Sequence, residues 1–136
     1  MSDKLFPLTD EQRPAVDPGE VVWLSASAGT GKTQVLSARV LRLLLEGDVS
    51  PSQILCLTFT KAAAATMANR VFALLGEWAL MDDARLRTTL QELDGGHHDA
   101  AALRRARRLF AQALETPGGL KVQTIHAFCE QVLHQF

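Results

Sequence analysis

The sequence is poor in cysteine, in net charge and in long apolar runs. Its 136 residues include two cysteines, and Lys+Arg (14) nearly cancels Asp+Glu (15). Cys56 and Cys129 are too few for a disulfide framework, and both lie among apolar residues, so we expect them to be reduced, buried and intracellular. The balanced charge excludes a global attraction to nucleic acid, so any binding of a polyanion must come from local sites.

The chain also lacks a signal peptide and a membrane span. Residues 1–10 carry acids and a proline in place of an apolar run, and no stretch approaches the roughly 18 apolar residues that a spanning helix needs. We therefore predict a soluble, cytoplasmic protein with no membrane contact. With 47% hydrophobic residues, the chain can bury the core of one domain.

Periodicity of apolar residues predicts an α/β fold with a parallel sheet and flanking helices. Short apolar runs predict strands over 20–25, 54–59 and 120–124. Helical spacing predicts a short helix from Thr9 to about Ala15 and core helices over 32–46, 61–78 and 125–136. The charged segment 79–118 is expected to be an insertion with a break at Asp94-Gly95-Gly96 and one helix from Ala100 to Leu114. Strand–helix alternation is typical of a parallel sheet.

Two of the predicted helices carry a defined apolar stripe. The first comprises Leu36, Val40, Leu43 and Leu44. The second comprises Met67, Val71, Leu75 and Trp78, in a helix that Thr60 is expected to cap. Both stripes are predicted to face the core.

A glycine-rich segment separates the first predicted strand from the helix that follows. It consists of Ala26, Ser27, Ala28, Gly29, Thr30, Gly31, Lys32 and Thr33. Gly29 and Gly31 let the backbone turn N–H groups toward a phosphate, and the helix presents its N-terminal dipole to the same anion. Lys32 would reach the β- and γ-phosphates, and Thr33 would place its hydroxyl on Mg²⁺. The segment predicts an ATP–Mg²⁺ site with Lys32 and Thr33 as its catalytic residues.

The alternative is a chance Gly-Lys-Thr at a strand–helix turn. Ala26 stands where the general pattern G-x-x-x-x-G-K-[ST] has its first glycine. Alanine requires a negative φ there, which excludes some forms of the loop but not all. Because a predicted strand and helix flank the segment, we favour the phosphate loop.

Three segments together resemble the UvrD/RecB-like superfamily 1 helicases. Residues 25–33 (SASAGTGKT) resemble their first motif, 57–67 (LTFTKAAAATM) their motif Ia, and 124–129 (TIHAFC) their T-x-H-x-F segment. Their forms are most similar to the AddA family of helicase–nuclease proteins, with the RecB family as the nearest alternative. The resemblance implies part of a RecA-like motor domain (1A) of an ATP-dependent DNA helicase in double-strand-break repair, and an AddB-like partner subunit.

The same resemblance implies contacts with single-stranded or double-stranded DNA. The candidates are Thr58, Phe59, Thr60, Thr124, His126 and Phe128. From the residues alone, hydroxyls and helix N-terminal amides at the carboxyl ends of strands suit phosphate oxygens. Phe59 and Phe128 either stack on bases, at about 1–3 kcal/mol per base, or belong to the core. His126 is either structural or DNA-facing.

The N-terminal arm, residues 1–19, contributes one further candidate. Gln12 resembles the family's adenine-reading glutamine, because a side-chain amide can donate and accept at once. The alternative is a solvated glutamine on a helix. With this arm set apart, residues 20–136 are expected to form the N-terminal part of the helicase ATP-binding domain.

Several features depart from the family or are missing. Thr66 stands where motif Ia usually has an acid. The acids of the DExx segment would lie beyond residue 136, and Asp82-Asp83 follows a predicted helix, so it is a poor substitute. We expect the chain to hold part of the ATP site without hydrolysing ATP efficiently alone. Rival interpretations are a nucleotide kinase, a GTPase, whose N/T-K-x-D motif is absent, and a truncated product without function.

Two charged segments remain. The cluster 104–108 (RRARR) would either touch DNA phosphates or form a solvated helix face, and the apolar stripe on the same helix favours the solvated face. His97-His98 lies beside two glycines with no Cys or acid at ligand spacing, so we do not expect a metal site there.

Overall fold

The computed structural model describes residues 13–19, 32–46, 49–116 and 120–135. The helices are α1 (Arg13–Val16), α2 (Lys32–Leu45), α3 (Lys61–Leu80), α4 (Asp83–Asp94), α5 (Ala100–Glu115) and α6 (Ile125–His134), the strands are β1 (Leu55–Thr58) and β2 (Lys121–Thr124), and Pro51–Gln53 form a 3₁₀ turn. The strand predicted over 20–25, most of the phosphate loop and Gln12 lie outside the described residues.

β1 and β2 form a parallel pair. Their register sets Leu55 opposite Lys121 and Thr58 opposite Thr124. Helices α3, α4 and α5 lie between the two strands along the chain, as parallel strands require a long crossover connection. The predicted α/β fold is confirmed, and a parallel pair with flanking helices is what part of a RecA-like domain contains.

α3 is the central helix of the described core. Its N-cap Thr60 accepts a hydrogen bond at Oγ1 from the N–H of Ala63, at 3.1 Å, as its sequence predicts. The predicted stripe is buried at every position, namely Met67, Val71, Leu75 and Trp78. Because α3 contacts α2, α5 and both strands, its burial ties the helical layer to the sheet.

α2 faces the core with three of its four predicted stripe residues and turns the fourth outward. Val40 and Leu44 are buried and Leu43 packs against the core, whereas Leu36 is 52% exposed, and Val35, Ala38 and Leu41 are buried as well. The reason is close helix packing. Ser37 is fully buried and lies with its Oγ 3.6 Å from the Sδ of Met67 on α3, so small residues set the contact face that hydrophobicity alone assigns to larger ones.

The short helix α1 is fastened to α2. Ala15 and Val16 are buried, and Arg39 Nη1 donates to the carbonyl of Ala15 at 2.8 Å. The carbonyls at a helix end lack partners within the helix, and an arginine supplies one here. The helix predicted to end near Ala15 ends at Val16, and its predicted start lies outside the described residues.

The insertion contains one helix more than predicted. α4 is capped by Asp82, whose carboxylate accepts from the N–H of Arg85 at 2.8 Å, and it buries Leu86, Leu90 and Leu93. This spacing is helical, so the signal was present in the sequence. Gly95 ends α4 in the left-handed conformation with φ of 71°, which confirms the predicted break. The helix predicted from Ala100 is confirmed as α5.

α6 is not a core helix within this chain. None of its described residues is buried, and Cys129, which we expected to be buried, is exposed. Leu55 and Leu57 on β1 are 42% and 46% exposed. Among the described elements, the main packing partners of α6 are β1 and β2, which leaves much of its surface exposed. None of the described helices combines the length and apolarity needed to span a membrane.

Two glycines allow a matched test of this fold. In Gly76→Ala, the new Cβ would lie 3.6 Å from the Phe110 ring, an ordinary contact, so we expect the mid-helix alanine to raise the free energy of unfolding by about 0.5–1 kcal/mol. In Gly95→Ala, the free energy of unfolding should fall by about 1 kcal/mol, because a residue with a Cβ is strained in the left-handed backbone conformation of this position. Urea denaturation measures both, and a destabilising Gly76→Ala would contradict the described α3–α5 packing.

Candidate functional site

The two strands end side by side, and each leads into a helix. Thr58 and Thr124 are partners at the ends of β1 and β2. α3 begins at Lys61 and α6 at Ile125, so two helix N-termini emerge at one edge of the sheet. The carboxyl edge of a parallel sheet is the usual place for ligands in α/β proteins.

Both helices at this edge are capped by threonine. Thr60 Oγ1 accepts from the N–H of Ala63, and Thr124 Oγ1 accepts from the N–H of Ala127, each at 3.1 Å. A hydroxyl that accepts one bond still holds a proton that it can donate outward. The first N–H groups of each helix also lack partners within the helix. The edge therefore offers donors from two hydroxyls and from backbone amides.

The charge of these caps separates them from the others in the described chain. α4 and α5 are capped by carboxylates, Asp82 and Asp99. The N–H of Ala102 bonds the Asp99 carboxylate, and this bond is the main cause that lowers the pKa of Asp99. By contrast, α3 and α6 have neutral caps and no acid in the first turn. Neither the caps nor the first turns of these two helices carry a carboxylate, and a helix N-terminus without one favours an external anion.

Thr58 differs from the other threonines because its hydroxyl is turned inward. Its Oγ1 lies 3.0 Å from the carbonyl oxygen of Thr60 and 3.5 Å from that of Gln123. The hydroxyl has one proton and donates it within the protein, which steadies the turn from β1 into α3. Among the predicted contact residues, Thr58 therefore holds the turn, and Thr60 and Thr124 cap the helices.

Three predicted contact residues bring rings to this edge. Phe59 stands between the strand and the cap with 90% of its surface exposed, so it is not a core residue of the described fold. His126 is exposed on the first turn of α6, and Phe128 is half-buried. An exposed phenylalanine beside two helix N-termini places an aromatic face, which can stack on a base, next to backbone N–H donors.

The nucleotide residues are described only in part. Lys32 and Thr33 are the first two residues of α2, whose first turn contains no acid. A helix that begins at the lysine and lacks a competing carboxylate fits a phosphate group at its N-terminus. The phosphate loop with Lys32 and Thr33 stays a prediction, because the residues before Lys32 lie outside the described part of the chain. Residues 26–31 and Gln12 lie outside the described part of the chain.

Sequence reasoning missed Gln123. It precedes the Thr124 cap, and its Nε2 donates to Gln131 Oε1 on α6 at 3.2 Å, while its own Oε1 is buried without a partner in the described structure. This side chain braces the start of α6 against β2. A glutamine in a strand carries no motif, so only the fold reveals it.

The remaining candidates do not add a catalytic group at this edge. Thr66, in the place of the family's acid, donates back to the carbonyl of Ala62 at 2.9 Å. Burial raises the pKa of the Cys56 thiol, which keeps it protonated and weakly nucleophilic. Within the described ranges, no three His, Cys, Asp or Glu side chains are grouped to hold a metal, and His98 instead bonds Asp94 at 3.0 Å.

Comparison with known proteins places these segments in a family. The family model described as the UvrD/REP helicase N-terminal domain matches residues 8–136. The ATP-dependent helicase/nuclease protein AddA of Latilactobacillus sakei subsp. sakei (strain 23K) is 38% identical over 130 residues, covering 94% of this chain and 12% of that protein. The protein of the same name from Alkaliphilus metalliredigens (strain QYMF) is 34% identical over 128 residues, covering 93% and 9%.

A second kind of relative matches a shorter stretch. The ATP-dependent DNA helicase PcrA of Staphylococcus aureus (strain Mu50 / ATCC 700699) is 44% identical over 80 residues, covering 58% of this chain and 11% of that protein. The chain thus spans about a tenth of the length of these relatives. No solved structure matches it significantly.

The two thiols should differ in reactivity. Cys129 is exposed and should react with Ellman's reagent within the mixing phase, whereas Cys56, half-buried in β1 with a raised pKa, should react slowly. Because the thiolate is the reactive form, the slow rate should increase as pH rises toward the Cys56 pKa. Stopped-flow absorbance at several pH values measures both rates. Cys129→Ser should remove only the fast phase, and equal rates for both thiols would contradict the described burial.

Proposed function

The chain belongs to the UvrD/REP helicase family, and from that premise we propose that it is the nucleotide- and DNA-contacting part of the first motor domain of an ATP-dependent DNA helicase. The intact protein would bind ATP and Mg²⁺ and translocate on single-stranded DNA. Its similarity to the AddA helicase/nuclease proteins favours a role in double-strand-break repair beside an AddB-like partner subunit. The family also favours this function over a nucleotide kinase or a GTPase.

One observation supports the DNA-binding part of this proposal most strongly. The two helices that start at the carboxyl edge of β1 and β2 have neutral threonine caps, while α4 and α5 use aspartate. A DNA backbone supplies the negative charge that these two caps lack. The difference is local, so it is compatible with the formal net charge of −1 for the whole chain.

The residues at the edge would take different parts in binding DNA. Thr60 and Thr124 would donate their hydroxyl protons to phosphate oxygens, together with the free N–H groups of α3 and α6. Phe59 would stack on an unpaired base, and His126 and Phe128 would flank the strand on the side of α6. Phosphate contacts and stacking read no base edge, so this binding would be independent of sequence.

The nucleotide would be held at the start of α2. Lys32 and the N–H groups of residues 26–31 would bind the phosphates, Thr33 would coordinate Mg²⁺ through its hydroxyl, and Gln12 would read the adenine. Bound Mg²⁺ neutralises phosphate charge. Because Asp82 and Asp83 follow helix α3 instead of a strand end, they are poorly placed to activate water, and we propose that residues 1–136 bind the nucleotide without hydrolysing it efficiently.

A packed contact joins the two binding regions. The proposed nucleotide residues Lys32 and Thr33 lie at the start of α2, and Thr60 caps the start of α3. The two helices are in contact where Ser37 Oγ lies 3.6 Å from Met67 Sδ. Both residues are buried. A shift of α2 on nucleotide binding would therefore press on α3 through a close-packed contact. We propose this contact as part of the coupling between ATP and DNA.

Removal of the Lys32 ammonium group should abolish nucleotide binding. A fluorescent ATP analogue titrated with Mg²⁺ should bind the wild-type chain saturably and Lys32→Ala at least about tenfold more weakly, because a charge-assisted bond to phosphate is lost. Lys121→Ala, an exposed lysine at the start of β2, is the matched control. Equal affinity of Lys32→Ala and the control, in chains with unchanged circular dichroism, would sink the phosphate-loop assignment.

A negative charge at the caps should separate DNA binding from stability. Thr60→Asp and Thr124→Asp keep a good N-cap, so the melting temperature should hold, but a carboxylate would face the phosphates. Fluorescence anisotropy with a labelled single-stranded oligonucleotide should show about tenfold weaker binding or more.

The controls either keep a neutral cap at this edge or change a cap elsewhere. Thr60→Ser should bind DNA like the wild type, and Asp82→Thr, at the cap of α4, should not weaken binding. If Thr60→Asp and Thr124→Asp bound the oligonucleotide as tightly as Thr60→Ser does, the proposed DNA edge would be wrong.

A further inference from the structure

The cluster 104–108 on α5 contains four arginines. One of them makes contacts within the protein, and the other three are exposed. Arg107 turns inward, where its Nη2 donates to Asp83 Oδ1 at 2.6 Å and to the carbonyl of Met81 at 2.9 Å. Arg104, Arg105 and Arg108 are exposed and form no ion pair with any residue in the described ranges. The exposed guanidinium groups therefore remain available to a carboxylate or phosphate.

A slot of mixed polarity opens between Arg105 and Arg108. It has a volume of about 110 Å³ and is lined by residues of α2, by Val49 and by residues of α5. Four lining residues are aliphatic, namely Leu44, Leu45, Val49 and Leu109, and Gln112 joins the two arginines as the polar ones. Its size suits one aliphatic side chain in contact with the leucine and valine carbons. A small slot flanked by arginines is an arrangement in which single anchoring residues dock at protein interfaces.

A larger polar cleft adjoins the slot. It measures about 470 Å³ and shares Leu45 and Arg105 with the slot, so the two form one continuous surface. Arg42 and His98 line it together with three acids, Glu46, Asp94 and Asp99. The surface thus combines an apolar anchor point and guanidinium groups with a cleft of mixed charge.

We propose that this surface docks an acidic peptide segment of a protein partner. An aliphatic side chain of the segment would fill the slot, and carboxylates on either side of it would pair with Arg105 and Arg108. Guanidinium groups bind carboxylates through two parallel hydrogen bonds, which fixes the orientation of the segment as well as its position.

Nucleic acid fits the same surface less well. A duplex carries a phosphate charge about every 1.7 Å along its axis, and a backbone that follows the groove would meet Glu46, Asp94 and Asp99. A peptide can carry its acids only where the arginines lie and leave the rest neutral. The leucine and valine side chains of the slot also offer no donor to a phosphate.

The surface is separate from the proposed nucleotide and DNA residues. Arg42, Leu45 and Glu46 lie at the end of α2 or directly after it, and Arg42 is roughly 15 Å along the helix axis from Lys32. Docking there would leave the start of α2 accessible. This inference stands without the helicase activity, since it rests on the surface formed by the end of α2, Val49, the end of α4 and α5.

The test uses an array of immobilised peptides, each with glutamates around one varied central residue, and the labelled 136-residue chain as the probe. Peptides with leucine, isoleucine or valine at the centre should bind above those with serine or with lysine in place of glutamate. The affinity of the best peptide is then measured by fluorescence anisotropy, with a labelled oligonucleotide duplex as a second ligand.

Three variants locate the binding. Arg105→Glu should weaken peptide binding about tenfold or more by placing like charges together, and Gln112→Trp should do so by filling the slot without a change of charge. Arg104→Glu, on the same helix but outside both cavities, should bind like the wild type. Circular dichroism checks that each variant is folded.

Any of three results would overturn the proposal. The first is an array with no aliphatic acidic peptide above the lysine background. The second is an equal loss in Arg104→Glu and Arg105→Glu, which would indicate general charge attraction. The third is tighter binding of the duplex than of every peptide, lost in Arg105→Glu, which would assign the surface to nucleic acid.

Discussion

The arrangement of the candidate site depends on the parallel register of β1 and β2. With Thr58 opposite Thr124, both strands end at the same level, and the helices that follow begin beside each other. A slip of one residue would turn every side chain of one strand to the opposite face and would separate the two threonine caps. The backbone ladder between two short strands therefore decides whether the two motif-bearing segments of the sequence act on one ligand.

The register brings together two helix ends whose charge is left uncompensated. In a protein with nearly balanced acids and bases, local dipoles and caps decide where an anion binds, because the overall field is weak. Neutral threonine caps at α3 and α6 and aspartate caps at α4 and α5 distribute this local charge unevenly. The proposed DNA contacts thus lie at the two described helices whose caps and first turns carry no carboxylate.

The insertion between the two DNA segments has a structural and a surface role. Arg107 ties α5 to the junction of α3 and α4, and the buried leucines of α4 and α5 add to the core around α3. The same helix keeps three arginines on its outer face, beside the end of α2. One element can therefore stabilise the domain with one face and offer a docking surface with the other, because helical periodicity separates the two sets of side chains.

The sequence by itself determined the order of β1, α3, α5, β2 and α6, the cap at Thr60, the buried stripe of α3 and the membership of a helicase family, because these depend on local spacing and on short motifs. Only the tertiary structure decided the helix α4, the cap at Thr124, the exposure of Leu36, Phe59 and Cys129, and how the arginines of α5 divide. Those outcomes depend on which neighbours are near in space, and packing of small residues such as Ser37 leaves no periodic signal. The tertiary structure also decided that the two threonine caps lie side by side. The strands before them are far apart in the sequence, since sixty-five residues separate Thr58 from Gln123, whose carbonyl oxygen the Thr58 hydroxyl reaches.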